Sequence, residues 1–292
     1  MLNQPAASFA SGLFLPIPER ALELAIFTAR CSHAARAMSP RPYILAETTW
    51  QHVKSAGYEV VVLPWGATEA HNYHLPYATD NLQCDHVAAE AARLAWEAGA
   101  KVVVLPTIPF GVNTGQLDIT LDINLNPSTQ LAILRDIVQV LARQGIPKLV
   151  VLNGHGGNDF RQHLRELQAE FPGVFLCTLN WFKAVDRSQF FTAPGDHADA
   201  LETSAMLHIA PELVRPLAEA GSGHTKQFRI KALRQGWAWA QREWSQVTAD
   251  TGAGNPAEAT AEKGAAVLAA ASTAIGQFLI ELAAADPHDM YE

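Results

Sequence analysis

The sequence predicts an α/β protein in which a mostly parallel central sheet is covered by helices on both faces. Four short apolar runs lack the polar alternation of half-exposed strands, which is typical of strands buried on both faces. Helical patterns alternate with these runs, as in βαβ units with right-handed crossovers. The densest polar clusters follow the runs directly, and ligands bind at this carboxyl edge of a parallel sheet. One layered domain with a site at the sheet edge is therefore expected.

The four predicted strands are short and rich in valine and leucine. They cover residues 59–63, 101–105, 148–152 and 174–179. A continuous apolar run of this length is consistent with a strand that is buried on both faces.

Five helices are predicted between and after these strands. They cover residues 81–98, 129–144, 159–170, 200–209 and 256–285. Gly99 and Gly145 end the first two, because glycine readily adopts the left-handed conformation found after helices. Asp80 could cap the first helix, and Asp196 or Asp199 could cap the fourth.

The composition favours a soluble protein with a sizeable core. Hydrophobic residues make up 49% of the 292 residues, and charged residues make up 17%. The formal net charge of −8 argues against binding to nucleic acid or to an anionic membrane. Three widely spaced cysteines suit a reducing compartment, and no run reaches the roughly 18–20 uninterrupted apolar residues of a membrane span. A cytoplasmic location is expected.

The first 37 residues fit the later pattern poorly. Met38 begins a segment that resembles a natural chain start. We therefore expect residues 1–37 to be an N-terminal extension, or the product of an upstream start, and residues 38–292 to form a single domain.

The first polar cluster lies at residues 64–80, directly after the first strand. It contains Glu69, His71, His74 and Asp80. In extended backbone the side chains of Glu69 and His71 point the same way. Carboxylate and imidazole ligands suit Zn²⁺, Mn²⁺ or Fe²⁺. The alternatives are that Asp80 only caps a helix and that each histidine is a hydrogen-bonded structural residue.

Two further clusters follow the third and fourth strands. Residues 153–158 hold His155 among three glycines, which leaves it open to a metal. A phosphate-binding turn is the alternative, but the spacing of a dinucleotide-binding motif is not met. Residues 195–204 hold His197, Asp199 and Glu202, which could also be a helix cap and an ordinary first-turn acid.

The three clusters resemble the signature blocks of the creatininase, or creatinine amidohydrolase, family. The matching segments are residues 64–80, 153–158 and 197–204, and residues 252–264 resemble a C-terminal segment of the family. Order and spacing agree, and the resemblance runs from about Pro40 to the end. It implies a three-layer α/β/α fold and a centre of two divalent metal ions, Zn, Mn or Fe, in each subunit.

The resemblance also implies a role for each matching residue. Glu69 and His155 would bind one metal, His71 would bind the other, and Asp80 would bridge both. His197 matches the catalytic histidine of the family.

The second block departs from creatininase itself at two positions. The glutamate that completes the second metal site is replaced here by Gly157, and a substrate-contacting tyrosine is replaced by Gly156. We expect Glu202 to supply the missing ligand. The lost aromatic side chain argues against creatinine as the substrate, and a stretch at 115–124 that differs from many relatives indicates a rebuilt pocket.

The resemblance implies a hydrolase that uses metal-activated water on a small cyclic amide or formamide. Relatives also act on a cyclic inosose ketone, which is one alternative, and a catalytically silent metal-binding scaffold is another. A phosphoesterase would need basic residues, and the three blocks contain none before Arg161. The partners expected are a small-molecule substrate and further copies of the chain in a homo-oligomer, with a hexamer favoured.

Five aromatic residues follow the last strand or lie near the C-terminal third. They are Trp181, Phe182, Trp237, Trp239 and Trp244. Packing in the core or at a subunit interface is expected for them rather than a pocket wall. Residues 235–244 are a candidate lid or interface element.

Overall fold

The computed structural model describes residues 40–292, so the predicted extension at 1–37 lies outside the described residues. Its strands are β1 Val60–Trp65, β2 Val102–Val104, β3 Lys148–Asn153, β4 Phe175–Asn180, β5 Gly195–His197 and β6 Ala253–Gly254. Its helices are α1 Trp50–Ala56, α2 Thr79–Glu97, α3 Pro127–Gln144, α4 Arg161–Glu170, α5 Ala200–Ile209, α6 Lys231–Arg234, α7 Trp244–Val247 and α8 Ala261–Ala284.

The four predicted strands form one parallel sheet in the order β2-β1-β3-β4. Their side chains alternate between two cores. Val60 and Val62 pack with residues of α2 and α8 on one face, whereas Val61 and Leu63 pack with α3 and α4 on the other. The predicted three-layer α/β/α fold is confirmed.

The strand order places a crevice between β1 and β3. Within the sheet, β2 lies beside β1 at one edge, and the chain reaches it from β1 through α2. Strands β3 and β4 lie toward the opposite edge, and α4 connects them. Helices α2 and α4, which follow β1 and β3, therefore cover opposite faces. Parallel sheets bind ligands at such a switch point, outside the carboxyl ends of the strands.

Some elements differ from the sequence prediction. Helix α8 begins at Ala261 rather than at 256, because Thr260 caps it through Lys263 N. Helix α1 buries no residue, so it has no apolar stripe by which a sequence could reveal it. The β5–β6 pair joins segments more than fifty residues apart, and its strands are too short to show periodicity.

Helix α8 is the one helix in residues 40–292 that is long and apolar enough to cross a membrane. In the fold it packs against α2 and α5 through residues that include Val267, Ala271 and Leu279.

Candidate metal centre and active site

The loop after β1 buries Glu69 and His71 at the sheet edge. The His71 Nδ1 lies 3.0 Å from the carbonyl oxygen of Glu69. A carbonyl can only accept, so Nδ1 carries the hydrogen and Nε2 is left as the electron-pair donor. This Nε2 points to Asp80, with 3.0 Å to Oδ1. The local turn therefore orients the imidazole for binding a metal.

Asp80 lies in the first turn of α2 and does not cap it. The helix begins one residue earlier, at Thr79, and the preceding Ala78 has no side-chain cap, so the capping alternative is wrong. The two carboxylate oxygens diverge: Oδ1 faces His71, while Oδ2 lies 3.2 Å from His155 Nδ1. Asp80 thus contacts a histidine from each of two loops.

His155 follows β3 across the crevice from the β1 loop. Its Nε2 donates to the Val112 carbonyl at 3.1 Å, which leaves Nδ1 as the electron-pair donor. Nδ1 lies 2.7 Å from Glu69 Oε1. The structure therefore brings the predicted ligands Glu69, Asp80 and His155 together from three chain segments.

Glu202 reaches the same centre from the first turn of α5. Asp199 caps this helix by accepting from the backbone N–H groups of Leu201 and Glu202, as the sequence predicted for one of two aspartates. Glu202 Oε2 lies 3.8 Å from His71 Nε2 and accepts from Ala198 N at 2.5 Å. Ala198 holds a φ of +50°, a conformation that a non-glycine residue adopts only at a cost, and it turns this N–H toward the carboxylate.

His197 ends the short strand β5 above Glu69. Its Nε2 donates to the Ala70 carbonyl at 2.9 Å, so Nδ1 is the free base, 3.7 Å from Glu69 Oε1. Burial, assisted by the nearby His71, lowers the pKa of His197 below its usual value. The ring is held neutral, with its acceptor nitrogen facing the carboxylates.

The residues of this centre fit divalent cations. Their donor atoms form three groups, each within 4.8 Å: Glu69–Asp80–His155, His71–Asp80–Glu202 and Glu69–His71–His197. Glu69 Oε1 and Asp80 Oδ2 are buried, and both lie next to the same imidazole nitrogen, His155 Nδ1, at 2.7 and 3.2 Å. Buried carboxylates that share so few donors are costly unless a cation binds them. Asp80 belongs to two groups, which is the arrangement expected of a bridging ligand.

Gly157 cannot hold a side chain in this backbone. A Cβ there would overlap the Val112 carbonyl oxygen and the His155 imidazole, whereas one at Gly156 would meet open space. The acid missing at Gly157 is therefore sterically excluded here, and the carboxylate nearest to His71 and Asp80 from outside the β1 loop is that of Glu202.

Two residues that the sequence did not assign to the site hold Glu69 and the β1 loop that carries it. Gln116 Nε2 donates to Glu69 Oε2 at 2.5 Å, and Asp122 Oδ1 accepts from Ala70 N at 2.7 Å. Burial raises the pKa of Asp122 to about 6. Both lie in the 115–124 stretch that differs from many relatives, which was the only signal for them in the sequence.

A cavity of about 590 Å³ opens above the cluster. Trp181 packs in the core as expected, and Phe182 packs against the same core. Phe182, Trp239 and Trp244 also line the cavity, so these three form part of the pocket wall that the sequence did not favour. Trp237 is exposed and lies away from the cavity wall. The 235–244 segment thus contributes one wall through its C-terminal half.

Three cationic side chains also line this cavity, although the three sequence blocks contain none. They are Lys183, Arg187 and Arg242. Arg187 pairs with Asp199 at 2.8 Å, and Arg242 pairs with Asp196 at 2.7 Å. Their charges are thus largely matched by acids of the chain itself, which does not favour a phosphoesterase.

Protons occupy the cluster when metal is absent. Burial disfavours charge on His71 and His155, but the adjacent Asp80 and Glu69 carboxylates outweigh it. They raise the pKa of His71 to about 10 and that of His155 well above its usual value. Burial also raises the pKa of Glu202 to about 8. A cation must therefore displace protons to reach these ligands.

We expect zinc binding to release protons and to tighten as the pH rises from about 6 to about 9. Calorimetric titration in two buffers of different ionisation enthalpy measures the protons released.

In the metal-free protein, the folded state keeps a proton on His71 between the unfolded pKa of 6.5 and the folded value of about 10. Its free energy of unfolding should therefore fall as the pH rises through this window.

Thermal unfolding in the presence of a chelator tests the expected fall in stability of the metal-free protein with rising pH. The zinc-loaded protein is the control, because the midpoint of its unfolding should be less sensitive to pH in this window. Zinc binding without proton release would contradict the expectation.

Comparison with known proteins gives a consistent assignment. Residues 46–279 match the Creatininase family model, described as creatinine amidohydrolase. Creatinine amidohydrolase of Pseudomonas putida is 29% identical, with 58% of this chain aligned to 73% of that protein. The mycofactocin precursor peptide peptidase of Mycobacterium tuberculosis (strain CDC 1551 / Oshkosh) is also 29% identical, with 72% of this chain aligned to 80% of the relative.

Solved structures share the fold. A protein of Bacteroides fragilis NCTC 9343 assigned as a creatinine amidohydrolase is 43% identical, with a TM-score of 0.81 over 87% of this chain and 100% of its own. A creatininase in its Mn form is 24% identical, with a TM-score of 0.68 over 82% and 98% of the two chains, which shows the fold alone. Because the family model spans most of the domain, this chain belongs to the creatininase, or creatinine amidohydrolase, family of hydrolases.

Proposed function

We propose that the chain is a dinuclear metal-dependent amidohydrolase that cleaves a non-peptide C–N bond of a small cyclic amide or formamide other than creatinine. One observation carries the proposal: the Asp80 carboxylate is shared between two ligand groups, each completed by a histidine and a second acid. The neutral His197 imidazole lies directly beside them.

The proposal assigns the ligands as follows. Glu69, Asp80 and His155 would hold one cation, and His71, Asp80 and Glu202 would hold the other. Two such cations lower the pKa of a water molecule toward neutrality and polarise the substrate carbonyl. A creatininase variant described as Zn-Zn type, 25% identical to this chain, supports zinc, and carboxylate and imidazole donors also suit manganese.

His197 would move the proton. Its free Nδ1 can accept a proton from the attacking water and hand it to the departing nitrogen as the C–N bond breaks. The Ala70 carbonyl holds Nε2–H and so keeps Nδ1 directed at the site. The Trp244 ring, 5.5 Å from the His197 ring, limits the access of water from one side.

The pocket supports a substrate other than creatinine. Gly156 stands where creatininase has a tyrosine that contacts the substrate, and space beside it is open. A 590 Å³ cavity also exceeds what the smallest formamides need. A second candidate follows from this: hydrolysis of an amide in a short peptide, which the similarity to the mycofactocin precursor peptide peptidase favours.

A substrate screen of the zinc- and manganese-loaded protein tests the proposal. The panel contains cyclic amides, formamides, short peptides, creatinine, inososes and an aryl phosphate. Turnover of a cyclic amide or formamide, lost when a chelator is added, supports the first candidate. Turnover of peptides alone supports the second. Activity on creatinine alone would overturn the interpretation of Gly156, and activity on the phosphate or an inosose alone would overturn the C–N assignment.

A further inference from the structure

The two oxygens of Glu69 have different environments. Oε2 accepts a hydrogen bond from Gln116 Nε2 at 2.5 Å. Oε1 faces the candidate ligands and lies 2.7 Å from Nδ1 of His155, whose pKa the adjacent carboxylates raise well above its usual value. Among residues 40–292, Gln116 supplies the one side-chain donor to this carboxylate that comes from outside the candidate ligand set. Gln116 thus holds Oε2, whereas Oε1 faces the remaining candidate metal ligands.

We propose that Gln116 is a positioning residue that holds Oε2 of Glu69 so that Oε1 faces the point where Asp80 and His155 would bind a divalent cation. This rests on the proposed metal-dependent function and adds a residue outside the ligand set. Groups that hydrogen-bond to metal ligands orient them and tune their affinity.

The amide is suited to this task because it donates without carrying charge. A lysine or arginine in this place would orient Glu69 equally well, but it would cancel the negative charge that attracts the cation. A buried apolar side chain would leave Oε2 without a donor. Glutamine avoids both effects, and the reverse amide orientation is disfavoured because it would place two oxygens in contact.

The loop that carries Gln116 is anchored on both sides. Gln116 N donates to the Asn113 carbonyl at 2.9 Å, and Trp244 N donates to the Gly115 carbonyl at 2.9 Å. The segment 115–124 also returns to the β1 loop, where Asp122 accepts from Ala70 N. Gln116 is buried, with 8% exposure, so its amide is fixed by the fold rather than by solvent.

Zinc affinity and a cobalt spectrum test the inference without a substrate. We expect Gln116→Leu to weaken zinc binding about 10- to 100-fold, measured by competition with a chelating dye. The visible absorption of the Co²⁺-loaded variant should shift, because it responds to ligand geometry. Gln116→Lys keeps a donor but adds charge, and it should also weaken binding. Where the leucine variant does not fold, Gln116→Met takes its place.

Gln168→Leu is the matched control. Gln168 is a partly buried glutamine on α4 that donates to the Val174 carbonyl at 2.9 Å, away from the cavity. The Gln168→Leu variant should keep the zinc affinity and the cobalt spectrum of the wild-type protein. Wild-type zinc affinity and an unchanged cobalt spectrum in folded Gln116→Leu or Gln116→Met would overturn this inference alone. A wild-type protein that binds no divalent cation would overturn the proposed function as well.

Discussion

Replacing Asp80 with alanine is expected to abolish metal-dependent hydrolysis, with a loss of at least about a thousandfold in kcat/KM. Asp80 is the residue common to the two ligand groups assigned to the two cations, Glu69–Asp80–His155 and His71–Asp80–Glu202, so its removal weakens both metal positions. Charge stabilisation by such metals is worth several kcal/mol, and each 1.36 kcal/mol is about tenfold in rate. Alanine is a good helix former, so α2 should still form. Metal content after dialysis and the rate on the substrate found by screening are the measurements.

The control for Asp80→Ala is Asp136→Ala, which removes an exposed aspartate from helix α3. It should keep metal content and rate. Two equivalents of zinc bound to Asp80→Ala with wild-type affinity would show that Asp80 is not the bridging ligand.

Replacing His197 with alanine is expected to lower kcat by about 10²- to 10⁴-fold, the usual contribution of a proton-transferring side chain. Metal content should stay at the wild-type level, because the two groups that contain Asp80 do not include His197. The space left by the ring opens onto the cavity, so added imidazole should restore part of the rate. Metal analysis and steady-state rates, with and without imidazole, are the measurements.

His197 also lies in a third group with Glu69 and His71, so this variant separates two roles. A loss of metal together with the rate would make His197 a ligand. An unchanged rate would contradict the proton-transfer role altogether. The control is His163→Ala, which removes a buried histidine of α4 outside the cavity.

The strands of the parallel sheet were predictable because burial on both faces leaves a local trace. After Lys148, the run at residues 149–152 is apolar throughout, and its strand pairs on both sides. The β5–β6 pair had no such trace, because two or three residues show no periodicity and its partners are distant in the chain. Helix α1 also left no trace in the sequence, because none of its residues is buried and it therefore has no apolar stripe.

The candidate ligands were identifiable because they cluster in three short blocks with a family spacing. The sequence of each block could not reveal the direction in which these side chains point in the fold. In the sequence, an aspartate at the start of a helix cannot be distinguished from a capping residue. In the structure Ala78 is the N-cap, so Asp80 lies inside the first turn, where its carboxylate contacts two histidines. For Gln116 the only signal was the unusual 115–124 stretch, which could not identify its partner because Glu69 lies 47 residues away along the chain.

By itself, the sequence determined the layered fold, the family and the set of side chains from which a metal site can be built. These depend on local composition and spacing, which the chain carries within each segment. Only the tertiary structure decided which oxygen of Asp80 faces which histidine, which nitrogen of His197 is free, and that Gly157 has no room for an acid. Those outcomes depend on distances between segments that meet at the carboxyl ends of β1 and β3, and packing alone sets them.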